Sequence, residues 1–112
     1  MRSLLLVALA ASLALACAPP ADVSYEVVSL VEQHYRQRPL GGGWTVTSVT
    51  SDGPNVLVTV KIKGEPNPEG TRLALPRSCP GGGSEVWRQL ERGQDVVFFL
   101  PELGDDFRVG CR

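Results

Sequence analysis

The chain has 112 residues, a formal net charge of −1 at pH 7 and 21% charged residues. That length supports one small domain and no second one. Its basic residues, such as Arg38, Lys61, Arg77 and Arg92, are scattered and never form a dense run. The expectation is therefore no nucleic-acid partner, since such affinity rests on clustered phosphate contacts. No low-complexity tract is present, and the triplets Gly41-Gly42-Gly43 and Gly81-Gly82-Gly83 recur without related flanks.

The first element in chain order is an apolar run. Ser3 to Ala16 are almost entirely Leu, Ala and Val, preceded by Arg2 and closed by Pro19-Pro20. A basic start, a short apolar core and small residues at its end mark a secretory signal segment. The run is too short for a bilayer core of about 30 Å, which needs roughly 20 apolar residues as a helix. The stretch Leu13-Ala14-Leu15-Ala16-Cys17 resembles the lipobox that ends the signal peptide of bacterial lipoproteins. The resemblance implies cleavage after residue 16, two or three acyl chains on Cys17, and a tether in the bacterial cell envelope. Two or more chains make such an anchor stable where one binds marginally. Ala18, in place of the Asp that retains such proteins in the inner membrane, implies an outer membrane location facing the periplasm. Ordinary signal cleavage at the same bond, after Ala14-Leu15-Ala16, is the alternative.

Removing residues 1–16 leaves 96 residues with a formal charge of −2, since only Arg2 is lost. Cys17, Cys79 and Cys111 are an odd set in an exported chain. Lipid on Cys17 leaves Cys79 and Cys111 to pair in an oxidising compartment. Residues 17–21 then make the lipidated cysteine and a short tether that holds the domain, residues 22–112, within ~20 Å of its anchor.

Along that domain, Val23 to Arg38 is predicted as a helix. Val27, Leu30, Val31, His34 and Tyr35 recur on one face, Asp22 serves as its cap, and Pro39 is its stop. Trp44 to Thr50, rich in β-branched residues, and Val56 to Ile62, which alternates, are expected as strands joined by the turn Ser51-Asp52-Gly53-Pro54-Asn55. A short strand is expected at Arg72-Leu73-Ala74-Leu75. A second helix is expected at Glu85 to Arg92, capped by Ser84 and stopped by Gly93. Asp95 to Leu100, apolar on both faces, predicts a central strand covered on two sides. Phe107 to Cys111 completes the set. The predicted class is α+β in the order α-β-β-β-α-β-β, a mostly antiparallel sheet with helices packed on it.

Candidate chemistry is sparse. His34 is the single histidine, and it lies on the apolar helix face, where an imidazole packs rather than reacts. Neither Ser84 nor Cys79 sits in a recognisable nucleophile turn. One histidine and two paired cysteines do not make a zinc site, so no metal and no cofactor is expected. Gly81-Gly82-Gly83-Ser84 lacks the Gly-Lys-Ser/Thr ending of a phosphate loop. Glu102, Asp105 and Asp106 form an acidic loop whose spacing is not that of a calcium loop, and which instead suits contact with a basic partner. Trp44 and Trp87 are core anchors, or interface hot spots where exposed.

These features point away from an enzyme. They suit an envelope lipoprotein that binds another protein near the membrane, with the Arg72–Leu75 strand as an edge for strand addition and Trp44, Glu102, Asp105 and Asp106 as contact residues. The alternative is a periplasmic enzyme inhibitor resembling the lysozyme-inhibitor lipoproteins in size and anchoring.

Overall fold

The computed structural model describes residues 19–112. Cys17 and the apolar segment before it lie outside the described residues. Helix α1 (Tyr25–Gln37) is capped by Ser24, whose Oγ accepts the Val27 N–H at 3.2 Å. Asp22 is not the cap, because it lies upstream of the helix with its carbonyl engaged by Gln94. Glu26 in the first turn and Arg36 in the last both suit the helix dipole. Val27, Val31 and Tyr35 form the buried stripe, and His34 is half-buried beside it.

Strands β1 (Trp44–Asp52) and β2 (Asn55–Ile62) form the expected hairpin, with Asp52 opposite Asn55 and Gly53 at φ +58° in the turn. Their register shifts between Val46 and Ser48, which makes Thr47 a bulge. Its hydroxyl donates to the Thr59 carbonyl. Val56, Val58 and Val60 point into the core and are fully buried. Strand β3 (Asp95–Phe99) runs parallel to β2, and β4 (Arg108–Gly110) returns antiparallel to β3, giving the order β1-β2-β3-β4. Two of the three pairings are antiparallel. The α+β class and the mostly antiparallel sheet are as the sequence indicates.

A parallel pair needs a long crossover, and residues 63–94 provide it. This is where the expected order fails. Arg72 to Leu75 is no strand: Pro68–Ala74 is helix α2, followed by a 3-10 turn, Leu75–Ser78. Asn67 caps α2 by accepting the Gly70 N–H at 3.1 Å, Pro68 occupies the first turn without losing a bond, and Glu69 faces the dipole. These local start signals outweigh the weak alternation of four residues. The Arg72–Leu75 edge is therefore withdrawn, and Leu73, 78% exposed, is a helical surface residue. Helix α3 (Glu85–Gln89) ends before the expected Arg92, because Leu90 turns extended and drops into the core.

Among the described residues, α1, α3 and the 3-10 turn after α2 cover one face of the sheet. Phe98, Leu75, Leu100, Val86 and Val31 fill the space between, with Tyr35 edge-on to Phe98 at 5.9 Å. The second face of β3 is not covered as expected: Val97 and Phe99 are only half-buried, as is Leu57 beside them. The Arg108 guanidinium sits 5.1 Å over the Phe99 ring and pairs with Asp52 at 3.6 Å, so a charged side chain shields that face.

Three ties close the domain. Cys79 and Cys111 are joined in a disulfide, 32 residues apart, as the cysteine count implies. The Tyr35 hydroxyl donates to the Ser78 carbonyl at 2.8 Å. Gln94, 4% exposed, donates to the carbonyls of Ala21 and Asp22 and accepts the Glu91 N–H. Pro20 lies so near Gly93, at φ +87°, that a side chain there would meet its ring at 2.7 Å. The chain is thus fixed to the domain from Pro20 onward, sooner than the tether of residues 17–21 implies.

Reduction of Cys79–Cys111 should cost about 3–4 kcal/mol by the loop-entropy estimate, seen as a lower urea midpoint. An unchanged midpoint would contradict a stabilising staple. Gln94→Ala should cost about 1–2 kcal/mol by stranding three backbone groups, and protease should then cut ahead of Val23 faster. Equal stability and cleavage would show that Gln94 holds nothing.

Candidate functional site: a groove on an open strand edge

Among the described residues no strand pairs with the outer side of β1. The Lys63 N–H donates to the Gly43 carbonyl at 3.1 Å, which fixes the alternation of the ladder. In an antiparallel pair, residues alternate between bonding the partner and turning their backbone groups outward. Trp44 and Val46, and Val49 beyond the bulge, are the outward set. The Trp44 N–H is taken by the Gly41 carbonyl at 3.4 Å. Val46 and Val49 present N–H and C=O groups to solvent, while their side chains pack on the core beneath α1.

A groove of about 540 Å³ runs between this edge and α1. Its helix side is Tyr35, Arg36, Pro39 and Leu40, and its strand side is the unbroken run Trp44 to Val49. Alternate strand residues face opposite sides of a sheet, so a cavity bordered by every residue of a run opens along the strand's edge. The groove is largely uncharged inside. Glu32 and Arg36 neutralise each other on its rim as an i,i+4 ion pair. Tyr35 contributes its ring, because its hydroxyl is committed to Ser78, and burial holds its pKa well above the ordinary value. Free backbone groups beside a channel that mixes apolar side chains with the hydroxyls of Thr45, Thr47 and Ser48 are suited to an extended peptide, with alternate side chains entering the channel. Apart from the bulge at Thr47, β1 carries none of the prolines or inward charges that usually protect an edge.

Of the residues singled out from sequence, Trp44 lies in the groove, half-buried at its glycine-rich end. Glu102, Asp105 and Asp106 are exposed in the loop between β3 and β4, two strands away from β1, so they form no common site with Trp44. They make no ion pair among the described residues. No group of three His, Cys, Asp or Glu side chains there could hold a metal ion. Trp87 is half-buried, its Nε1 donating to the Pro80 carbonyl at 2.7 Å with the Arg112 guanidinium 4.7 Å above the ring. Cys17 is outside the described residues. Tyr35, Leu40, Val46 and Val49 were missed as site residues: each reads as core or turn, and which strand is the edge depends on pairing far along the chain.

No family model matches the chain, and neither does any curated protein or solved structure compared with it.

Burial, and then the charge of Arg38, lowers the pKa of His34 from its ordinary value. The folded state therefore favours neutral imidazole, and the unfolded chain takes up the proton first as the pH falls. Stability from this source is full above about pH 6.5 and declines below it, levelling once the folded form protonates. Wild type should lose more stability than His34→Gln between about pH 7.5 and 5 in urea titrations. Identical losses would contradict the assignment.

Proposed function

We propose that this protein is a lipid-anchored envelope protein without catalytic activity, and that it captures an extended segment of a partner along β1, close to the membrane. One observation carries the reading: an unpaired strand edge whose free backbone groups border a groove beside α1. Main-chain hydrogen bonds would supply affinity there, and alternate side chains against Trp44, Val46 and Val49 would supply selectivity. The anchor rests on the lipobox-like residues ending at Cys17. Pro20 is already held against Gly93, so about three residues, or roughly 10 Å of extended chain, would separate lipid from domain. The end bearing Gly53 and Gly93 would then face the bilayer. Val23 is bonded to Gly53 at that end, and α1 leads from there toward the groove.

A second reading, a periplasmic enzyme inhibitor, is favoured by the exposed, unpaired acidic loop at Glu102, Asp105 and Asp106. Binding through that loop would weaken steeply with salt, whereas strand addition would not.

Pull-down of the intact anchored protein, with mass spectrometry of its partners, tests the preferred reading. Val49→Pro removes an outward N–H and spares the ladder to β2, a position where an edge strand tolerates proline. It should weaken capture at least about tenfold, equivalent to 1.4 kcal/mol, with folding retained. Leu73→Ser should leave capture unchanged. Undiminished capture by Val49→Pro would sink the edge. The mass of the mature N-terminus should show acyl chains on Cys17, and an unmodified cysteine would remove the anchor.

A further inference from the structure

Beyond Pro39 and Leu40, which border both it and the groove, His34 and Arg38 face a hollow of about 240 Å³ whose other wall is Arg77, Ser78, Cys79 and Gly81. A neighbouring hollow shares His34, Arg38 and Gly81 and extends over Gly83 and Ser84. Among the described residues, neither Arg38 nor Arg77 has a carboxylate within ion-pair distance. Glu85, which lines an adjoining cleft with His34, is held by Arg88 at 3.1 Å. On α1 itself, Glu32 is held by Arg36, and Glu26 lies two turns from His34 at the helix's other end. Two elements thus bring two guanidinium groups and an imidazole to one place that no acid neutralises. The C-terminal carbonyls of α1 offset part of the Arg38 charge, but Arg77 comes from the 3-10 turn and is not balanced that way. The walls are firm: Tyr35 is bonded to Ser78, and Cys79 to Cys111.

The glycines supply the second observation. Gly81, Gly82 and Gly83 all lie outside the positive-φ region, and a Cβ built on any of them meets nothing within 4 Å. Neither backbone conformation nor packing within the domain demands glycine there. Three bare residues beside an uncompensated basic hollow keep its approach open.

We propose that His34, Arg38 and Arg77 bind a phosphate group, reached over Gly81 to Gly83. A carboxylate is satisfied by one bidentate arginine, whereas donors converging from separate elements suit the several oxygens of a tetrahedral phosphate. The phosphate belongs either to a small soluble ligand or to a lipid headgroup of a bilayer other than the anchoring one, since His34 and Arg38 lie at the end of α1 away from Gly53.

The single histidine makes the test direct, because its ring-proton resonance reports on this site alone. Mature protein in detergent micelles is titrated with inorganic phosphate, and with acetate and chloride at matched ionic strength. Phosphate should raise the His34 pKa by about half a unit or more, saturably, because a bound anion favours the charged imidazole. Acetate and chloride should not. Arg77→Gln should abolish the rise. Gly83→Leu, which the open space accepts, should keep the fold and also abolish it. A rise equal in chloride or acetate, or one surviving Arg77→Gln, would overturn the proposal. Vesicles of phosphatidylglycerol against phosphatidylcholine then separate the sources: a response to the anionic vesicles assigns the phosphate to a headgroup, and a response to free phosphate alone assigns it to a soluble ligand.

Discussion

The parallel pairing of β2 with β3 is the constraint on which the rest of the structure depends. Once Val56 and Val58 lie beside Val96 and Phe98 in the same direction, the chain must travel from the far end of β2 back to its start. Residues 63–94 make that journey over one face of the sheet, carrying α2, the 3-10 turn and α3. They join α1 to form a single helical layer, which is why Val96 and Phe98 are fully buried while Val97 and Phe99 keep partial contact with water. The disulfide and the Tyr35–Ser78 hydrogen bond both act on this crossover, fastening it to β4's exit and to α1. A segment of weak intrinsic structure is thus held at Ser78 and Cys79, just beyond the fully buried Leu75.

The same constraint creates the groove. With β3 and β4 on one side of β2, its hairpin partner β1 must form the outer edge. Helix α1 then spans the gap between the crossover and that edge, leaving a channel on the side where no strand follows. Gln94 and Gly93 link this arrangement to the chain's origin. They stand at the turn where the crossover re-enters the sheet, and they hold Pro20, Ala21 and Asp22 against it. The position of residues 20–22 and the direction in which the edge lies open are therefore set by one rigid framework.

Much of this was legible in the residues and some was not, for definable reasons. The helix over residues 23–38, the hairpin and the strand at 95–100 carry strong periodic or alternating patterns, and each forms within a few positions of its expected bounds. The Cys79–Cys111 bond followed from counting thiols. The segment at Arg72 to Leu75 was misread because alternation across four residues is a weak signal, while the decisive one lay upstream at Asn67-Pro68-Glu69. Ser24 rather than Asp22 caps α1 because Gln94 holds Asp22, from a position 72 residues away. Trp44 was legible as a contact candidate, being an aromatic beside glycines. Its partners in the groove were not, since edge status belongs to strand order, which local patterns do not encode.

The central claim is that β1 is an uncovered edge in the free protein, ready to accept a strand. Residue-resolved hydrogen exchange of the purified mature protein tests it most directly. The Val46 and Val49 amides should exchange rapidly, while those of Ser48 and Thr50, directed at β2, are protected by the ladder. Slow exchange at Val46 and Val49 in the free protein would mean that the edge is already occupied, and would contradict the account.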